Sequence, residues 1–265
     1  MRACPNCRSE DCKIKLTDGD FKIVKCSGCG LVYLQNVPEE SEIYEDYYEI
    51  KFSKDDYSID SKYDFLAEIY AINRQRLCFL KKYRKKGKLL DVGCGSGLFM
   101  KAVSDQGYDI YGIDVSSKAL SFARDEFKLD VQEKSLNDLI KENRRFDIIT
   151  LWHVLEHFIN PVEELEKIRT LLNENGVCLI EVPNYNSIKF KLSNNKWKGG
   201  NHPLYHRTFF TSKTLKETIQ ERGFSATKRI RISYKLPQKS FMFNGSKKMF
   251  NLFAMDAFLD YIVWK

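Results

Sequence analysis

The sequence predicts an α/β fold, a parallel sheet covered on both faces by helices, with a small metal-binding unit ahead of it. Three observations carry this expectation. Short apolar runs alternate with helical stretches from Lys88 onward, a glycine-rich turn follows the first of those runs, and paired cysteines crowd the first thirty residues.

The chain has 265 residues, 43 Lys+Arg against 36 Asp+Glu for a net charge of +7, and 43% hydrophobic residues. That composition excludes intrinsic disorder and suits one large domain with a smaller one attached. No run of eighteen apolar residues occurs, and the opening MRACPNCRSE has charges where a secretion signal carries its apolar core, so a cytoplasmic protein is expected. Eight cysteines in a chain able to bury a core point to metal rather than to a disulfide scaffold.

Residues 1–36 form the first unit. Cys4-Pro-Asn-Cys7 and Cys26-Ser-Gly-Cys29 repeat a C-x2-C pattern with eighteen residues between them, the spacing of a four-thiolate zinc ribbon. A two-residue gap lets one tight turn aim two sulfurs at a metal, and Gly28 and Gly30 ease the second turn. Four cysteine ligands leave no open position, so the zinc reads as structural, and a unit this short draws its folding energy from the metal. Cys12 is left as a packing cysteine.

Residues 37–87 read as a helical linker or pocket cover. An acidic, tyrosine-rich stretch containing Tyr47 and Tyr48 leads into a segment where Phe65, Leu66, Ile69, Ile72, Leu77 and Leu80 recur at helical spacing before Gly87. The basic run Lys81 to Lys86 suits a solvated helix end or a phosphate contact.

Residues 88–235 carry the sheet. Strands are expected at 88–92, 109–114, 147–152 and 176–182, with helices over LFMKAVSDQG, SKALSFARDEF and PVEELEKIRTLLNENG between them. The first strand runs into Asp91-Val92-Gly93-Cys94-Gly95-Ser96-Gly97, at the sheet edge where ligands bind. Its glycines admit a close backbone approach, and the following helix start favours an anionic group. A dinucleotide fingerprint would need glycine at position 98, where Leu98 stands, so nicotinamide chemistry is disfavoured. Asp114 ends the second strand, where a carboxylate can accept from both ribose hydroxyls.

LLDVGCGSGLFM, YGIDVS, FDIITLWHVLEHFINP and LLNENGVCLIEVPN, in this order, resemble the class I S-adenosylmethionine-dependent methyltransferases over roughly residues 86 to 230. The resemblance implies a Rossmann-like sheet and S-adenosylmethionine as cofactor. It assigns Asp91, Gly93, Gly95 and Gly97 to the methionine part, Asp114 and Val115 to the ribose end, and Ser135 and Leu136 to the adenine. Trp152 joins them as a pocket wall, with Trp197, Tyr47 and Tyr48 as further aromatic candidates. Together with CSGCGLVY, the chain is further similar to methyltransferases of bacterial sugar and surface-glycan pathways.

The four histidines fall as two pairs four apart, His153/His157 and His202/His206. His153-Val154-Leu155-Glu156-His157 spells an inverted zinc-protease motif, but it starts at a strand end and lacks the longer helix and third ligand such a site needs. The same segment resembles a Glu-x-x-Glu-His cation motif of related O-methyltransferases, with His153 in place of the first glutamate. Glu156 and His157 therefore read as a structural pair or as a second divalent-cation site, and a hard cation prefers oxygen ligands. His206, ahead of Phe209-Phe210-Thr211, matches the histidine of sugar-modifying methyltransferases. Tyr205 replaces the glutamate of their C-methylating members, which turns the expectation from C-methylation toward O- or N-methylation.

Imidazole titrates near neutrality and suits a general base. His206 is the first candidate, His153 the second, and Tyr205 a relay. The acceptor is expected to be a small molecule, a sugar, sugar nucleotide or glycan precursor. A nucleic acid gripped by the ribbon and the basic run is the alternative, and a non-catalytic scaffold the third reading. Residues 236–265 read as a helical tail that packs on the sheet or touches a membrane or partner, with YIVWK as a short final strand in a competing reading.

Overall fold

The computed structural model describes residues 2–37, 59–192, 205–230 and 257–265. Tyr47, Tyr48, Trp197 and His202 lie outside the described residues.

Eleven strands among the described residues make two sheets. The first holds β1 (Cys12–Asp18), β2 (Phe21–Cys26), β3 (Val32–Leu34) and β9 (Thr208–Phe209), in that order and antiparallel throughout. The second holds β4 (Lys88–Val92), β5 (Asp109–Ile113), β6 (Val131–Gln132), β7 (Phe146–Trp152), β8 (Leu172–Pro183), β10 (Ala226–Ile230) and β11 (Phe258–Trp264). Its order is β10-β11-β8-β7-β4-β5-β6. From β8 to β6 all neighbours are parallel, while β11 runs against both β8 and β10.

Parallel strands covered on both faces need apolar side chains all round, which is what Leu89, Leu90, Ile148, Ile149, Leu151, Leu179 and Ile180 supply; all are buried. A side chain on Gly112 of β5 would meet Met100 Sδ at 2.4 Å and Cys94 Sγ at 2.9 Å, so glycine there lets the helix Leu98–Ser104 lie close on the sheet. Two of the helices on the sheet start on side-chain caps of this kind: Ser116 accepts from the Ala119 amide, and Thr211 forms a capping box with Thr214. The connecting helix runs Ile59–Tyr83 and buries Leu77, Phe79 and Leu80 against β4, β7 and β8.

Two expectations need correction. Within the expected helical tail of residues 236–265, Phe258–Trp264 is a seven-residue strand between β8 and β10, in register from Phe258 opposite Pro183 to Trp264 opposite Val177. Apolar residues at nearly every position fit either period, and burial on both faces of the sheet decides for the strand. No helix among the described residues is long and apolar enough to cross a membrane. The boundary at residue 36 is also not a structural break: Val32 pairs with Phe209 and Tyr33 with Thr208, so the cysteine-rich sheet takes its fourth strand from the segment after His206.

Candidate functional site

The strand order reverses about β4, which opens a crevice at the carboxyl edge of β4, β5 and β7. The glycine turn occupies that crevice. Gly93, Gly95 and Gly97 have φ of 66°, 53° and 75°, in the left-handed region that side chains avoid. A side chain on Gly93 would meet Val154 Cγ2 at 2.5 Å, and one on Gly97 would meet Leu129 Cδ1 at 2.6 Å. Asp114 ties the turn to β5: its Oδ2 accepts the Gly95 amide at 2.8 Å and its Oδ1 the Ser116 amide at 2.9 Å. A carboxylate has about four acceptor sites, so acceptor capacity remains beyond these amides. Burial raises the Asp114 carboxyl above its ordinary range, against the three backbone amides that lower it.

Asp91 is buried beneath the turn and accepts from Thr150 Oγ1 at 2.6 Å. Burial pushes it up to about 7 against Thr150 and Arg76, so a cationic ligand group beside it favours the charged carboxylate. Val115 is 66% exposed at the same edge, an apolar surface open to a flat ligand. Ser135 and Leu136 follow β6. Ser135 caps the helix Leu136–Lys141 in a box with Asp138, and Leu136 is buried in the core. Trp152 is wedged edge-on against Phe99 and beneath the Arg76 guanidinium, 4.7 Å from its ring.

His153 follows β7 with φ 59°, a left-handed turn for a non-glycine residue. Its Nε2 lies 3.0 Å from Glu181 Oε1, and its Nδ1 lies 3.4 Å from Glu156 Oε1, a charge contact rather than an aligned hydrogen bond. Glu181 also pairs with Arg76. Burial alone would lower the His153 imidazole, but Glu156 and Glu181 outweigh it and hold it at about 9. Glu181, which burial would raise, is brought down to about 2 by Arg76 and His153. Both ring nitrogens of His153 face carboxylates, an arrangement that favours the protonated ring.

The same geometry gives a pH dependence. The histidine is raised above its ordinary 6.5, so its contribution to stability is complete below pH 6.5 and lost as pH rises through 9. The loss is on the order of 2 kcal/mol, discounted because part of the ring meets solvent. Thermal melting between pH 6 and about 9.5 is expected to show this decline in the parent and a flatter profile in His153→Asn. An equal decline in both proteins would show that the imidazolium clamp is not its source.

His157 closes a short turn, Leu155–His157, and its Nδ1 lies 2.9 Å from the Tyr205 carbonyl oxygen. Donation to that carbonyl leaves Nε2 as the acceptor, 4.0 Å from Glu156 Oε1. The His206 ring stands 4.9 Å from the His157 ring at 73°. Ligand atoms of Glu156, His157 and His206 all lie within 4.8 Å of one another, although the two histidines come from segments 49 positions apart. Tyr205 takes part through its carbonyl.

In the small sheet, Cys4 Sγ is 3.5 Å from Cys29 Sγ and Cys7 Sγ is 3.4 Å from Cys26 Sγ, with all four sulfurs within 4.8 Å of one another. Four thiolates at about 2.3 Å from a tetrahedral zinc have edges of about 3.8 Å, so the sulfur set fits that ion. Cys12 stands apart and accepts from Gln35 Nε2 at 3.3 Å.

Reading the sequence missed three functional candidates. Glu181 has a signal, a lone carboxylate inside the apolar run VCLIEV. Arg76 sits in an ordinary helical stretch and Arg2 in a polar leader, and neither shows one.

A family model described as a methyltransferase domain matches residues 64–228. The ubiquinone biosynthesis O-methyltransferase of Histophilus somni (strain 2336) is 30% identical over 165 residues, 57% of this chain and 66% of that protein. Across the first curated relatives the match spans 55 to 66% of their length. Among solved structures, a SAM dependent methyltransferase from Archaeoglobus fulgidus aligns with TM-score 0.57 at 19% identity, covering 84% of this chain and all of that one. The plantazolicin methyltransferase BpumL in complex with SAH aligns with TM-score 0.54 at 22% identity, covering 82% and 92%.

Proposed function

We propose, on the premise that this chain belongs to the methyltransferase-domain family and is an S-adenosylmethionine-dependent methyltransferase, that it methylates a hydroxyl of a small sugar-linked acceptor with His206 as general base. One observation carries the reading: the glycine turn, Asp114 and the His157–His206 pair, drawn from distant parts of the sequence, meet at one edge of one sheet. The O-methyltransferase name of the relatives supports oxygen as the acceptor atom, and Tyr205 in place of a glutamate argues against carbon. The paired-cysteine unit supports the sugar-linked class by its similarity to glycan-pathway enzymes.

The cofactor supplies an electrophilic methyl on a sulfonium. Asp91 and the turn of Gly93, Gly95 and Gly97 hold its amino-acid end, and Asp114 with Val115 its ribose end. Positioning supplies most of the rate. His206 takes the hydroxyl proton as the carbon–oxygen bond forms and the carbon–sulfur bond breaks. His153, clamped as an imidazolium, orders Glu156 and Glu181 and takes no proton. The basic run lines a cleft of about 660 Å³ with Gly87, Lys88, Asp109 and Asp147, at the amino edge of β4, away from the glycine turn. That placement favours a small molecule over a nucleic acid.

Screening radiolabelled methyl transfer to sugar nucleotides, phenols and RNA tests the reading. Transfer to RNA with no transfer to the small molecules would replace it. Metal analysis of the purified chain is expected to give one zinc, absent from Cys26→Ser together with the order of β1 to β3. A second metal equivalent removed by Glu156→Gln would assign the histidine cluster to a cation and make His206 a ligand.

A further inference from the structure

Arg2 joins three segments that the sequence keeps far apart. Its Nε donates to the Leu34 carbonyl at 2.8 Å, its Nη2 to the Arg207 carbonyl at 3.0 Å, and its Nη1 to the Ile159 carbonyl. Leu34 ends the third strand of the cysteine-rich sheet, Ile159 leaves the turn that carries Glu156 and His157, and Arg207 follows His206 directly. The Tyr33 ring lies 5.4 Å beneath the guanidinium. A planar fork with donors in three directions is what this junction requires, and a lysine ammonium cannot span it.

The backbone repeats the connection. The Leu34 amide donates to the Arg207 carbonyl at 2.9 Å, and the Arg207 amide to the Glu156 carbonyl at 2.8 Å. Two residues before Arg207, the Tyr205 carbonyl meets His157 Nδ1. His206 is therefore held between two anchors, one to His157 and one to Glu156. The second is completed from the cysteine-rich sheet.

We infer that Arg2 is a positioning residue: it locks the cysteine-rich sheet onto the segment after His206 and so sets the His206 ring against His157. This rests on the reading of His206 as the base. It gives the small sheet a task in the reaction, holding a side chain in place from outside the cofactor crevice.

The full chain with Arg2→Lys and, separately, Arg2→Met tests it by hydrogen exchange, histidine-ring NMR and calorimetry with S-adenosylhomocysteine. Four histidines keep the ring spectrum assignable by single His→Gln changes. Expected are exchange of the Leu34 and Arg207 amides faster by about tenfold or more, unchanged protection across β1 and β2, and a His206 ring signal moved toward free histidine. Cofactor-product affinity stays within about twofold, since Arg2 reaches no part of the glycine turn. An unmoved His206 signal in Arg2→Lys overturns the inference, as does a uniform loss of protection, which would make Arg2 a general fold residue. Full methyl transfer by His206→Ala would instead remove the base reading and leave the exchange result to judge the clamp.

Discussion

Asp114→Ala is expected to weaken S-adenosylmethionine binding by at least about a hundredfold, beyond the reach of a micromolar titration. Two losses combine. The carboxylate holds the glycine turn against β5 by accepting the Gly95 and Ser116 amides, so its removal strands two donors and frees the turn. Its remaining lone pairs are those proposed to take the ribose hydroxyls, and charge-assisted hydrogen bonds of this kind contribute about 1.5–3 kcal/mol each. Asp114→Asn is no rescue, because one amide donor would then face a backbone N–H. Calorimetric titration with S-adenosylmethionine and its demethylated product, with NADH as control, measures the effect. Undiminished affinity in Asp114→Ala would take the ribose away from this edge of the sheet.

The fold was legible where local pattern and burial agree. The β4, β5 and β7 runs carry buried apolar residues on both faces because both faces are covered, and the glycines at 93, 95 and 97 stand where φ is positive. Pattern left two readings open where two periods coincide, as in Phe258–Trp264, whose aromatic and β-branched residues suit a strand or a buried helix alike; the competing reading of YIVWK as a strand is the one the sheet takes up. Pattern failed for pairings set by tertiary contact alone. The two-residue strand after His206 has no periodicity to read, yet its bonds to Val32 and Tyr33 bring the cysteine-rich sheet to the site. Ser135 and Leu136 have local structural tasks that the sequence also shows, a capping box and a core position at the start of one helix.

His206→Ala is expected to lower methyl transfer by about 10²–10⁴-fold while calorimetric affinity for S-adenosylmethionine stays within about twofold. The division of effects follows from place. Asp114 is tied to the glycine turn through the Gly95 amide, whereas the His206 ring packs on His157 and, at 6.5 Å, near Phe209. His157 in turn is oriented by the Tyr205 carbonyl, so the ring against which His206 packs cannot rotate without breaking that bond. His157→Gln is therefore expected to cost less than His206→Ala, because it disturbs the geometry of the base without removing it. His153→Gln, lying between Glu156 and Glu181, is expected to act mainly on stability. A His153 variant that loses turnover with its melting temperature intact, beside a fully active His206→Ala, would exchange the two roles and return the proton to the strand end.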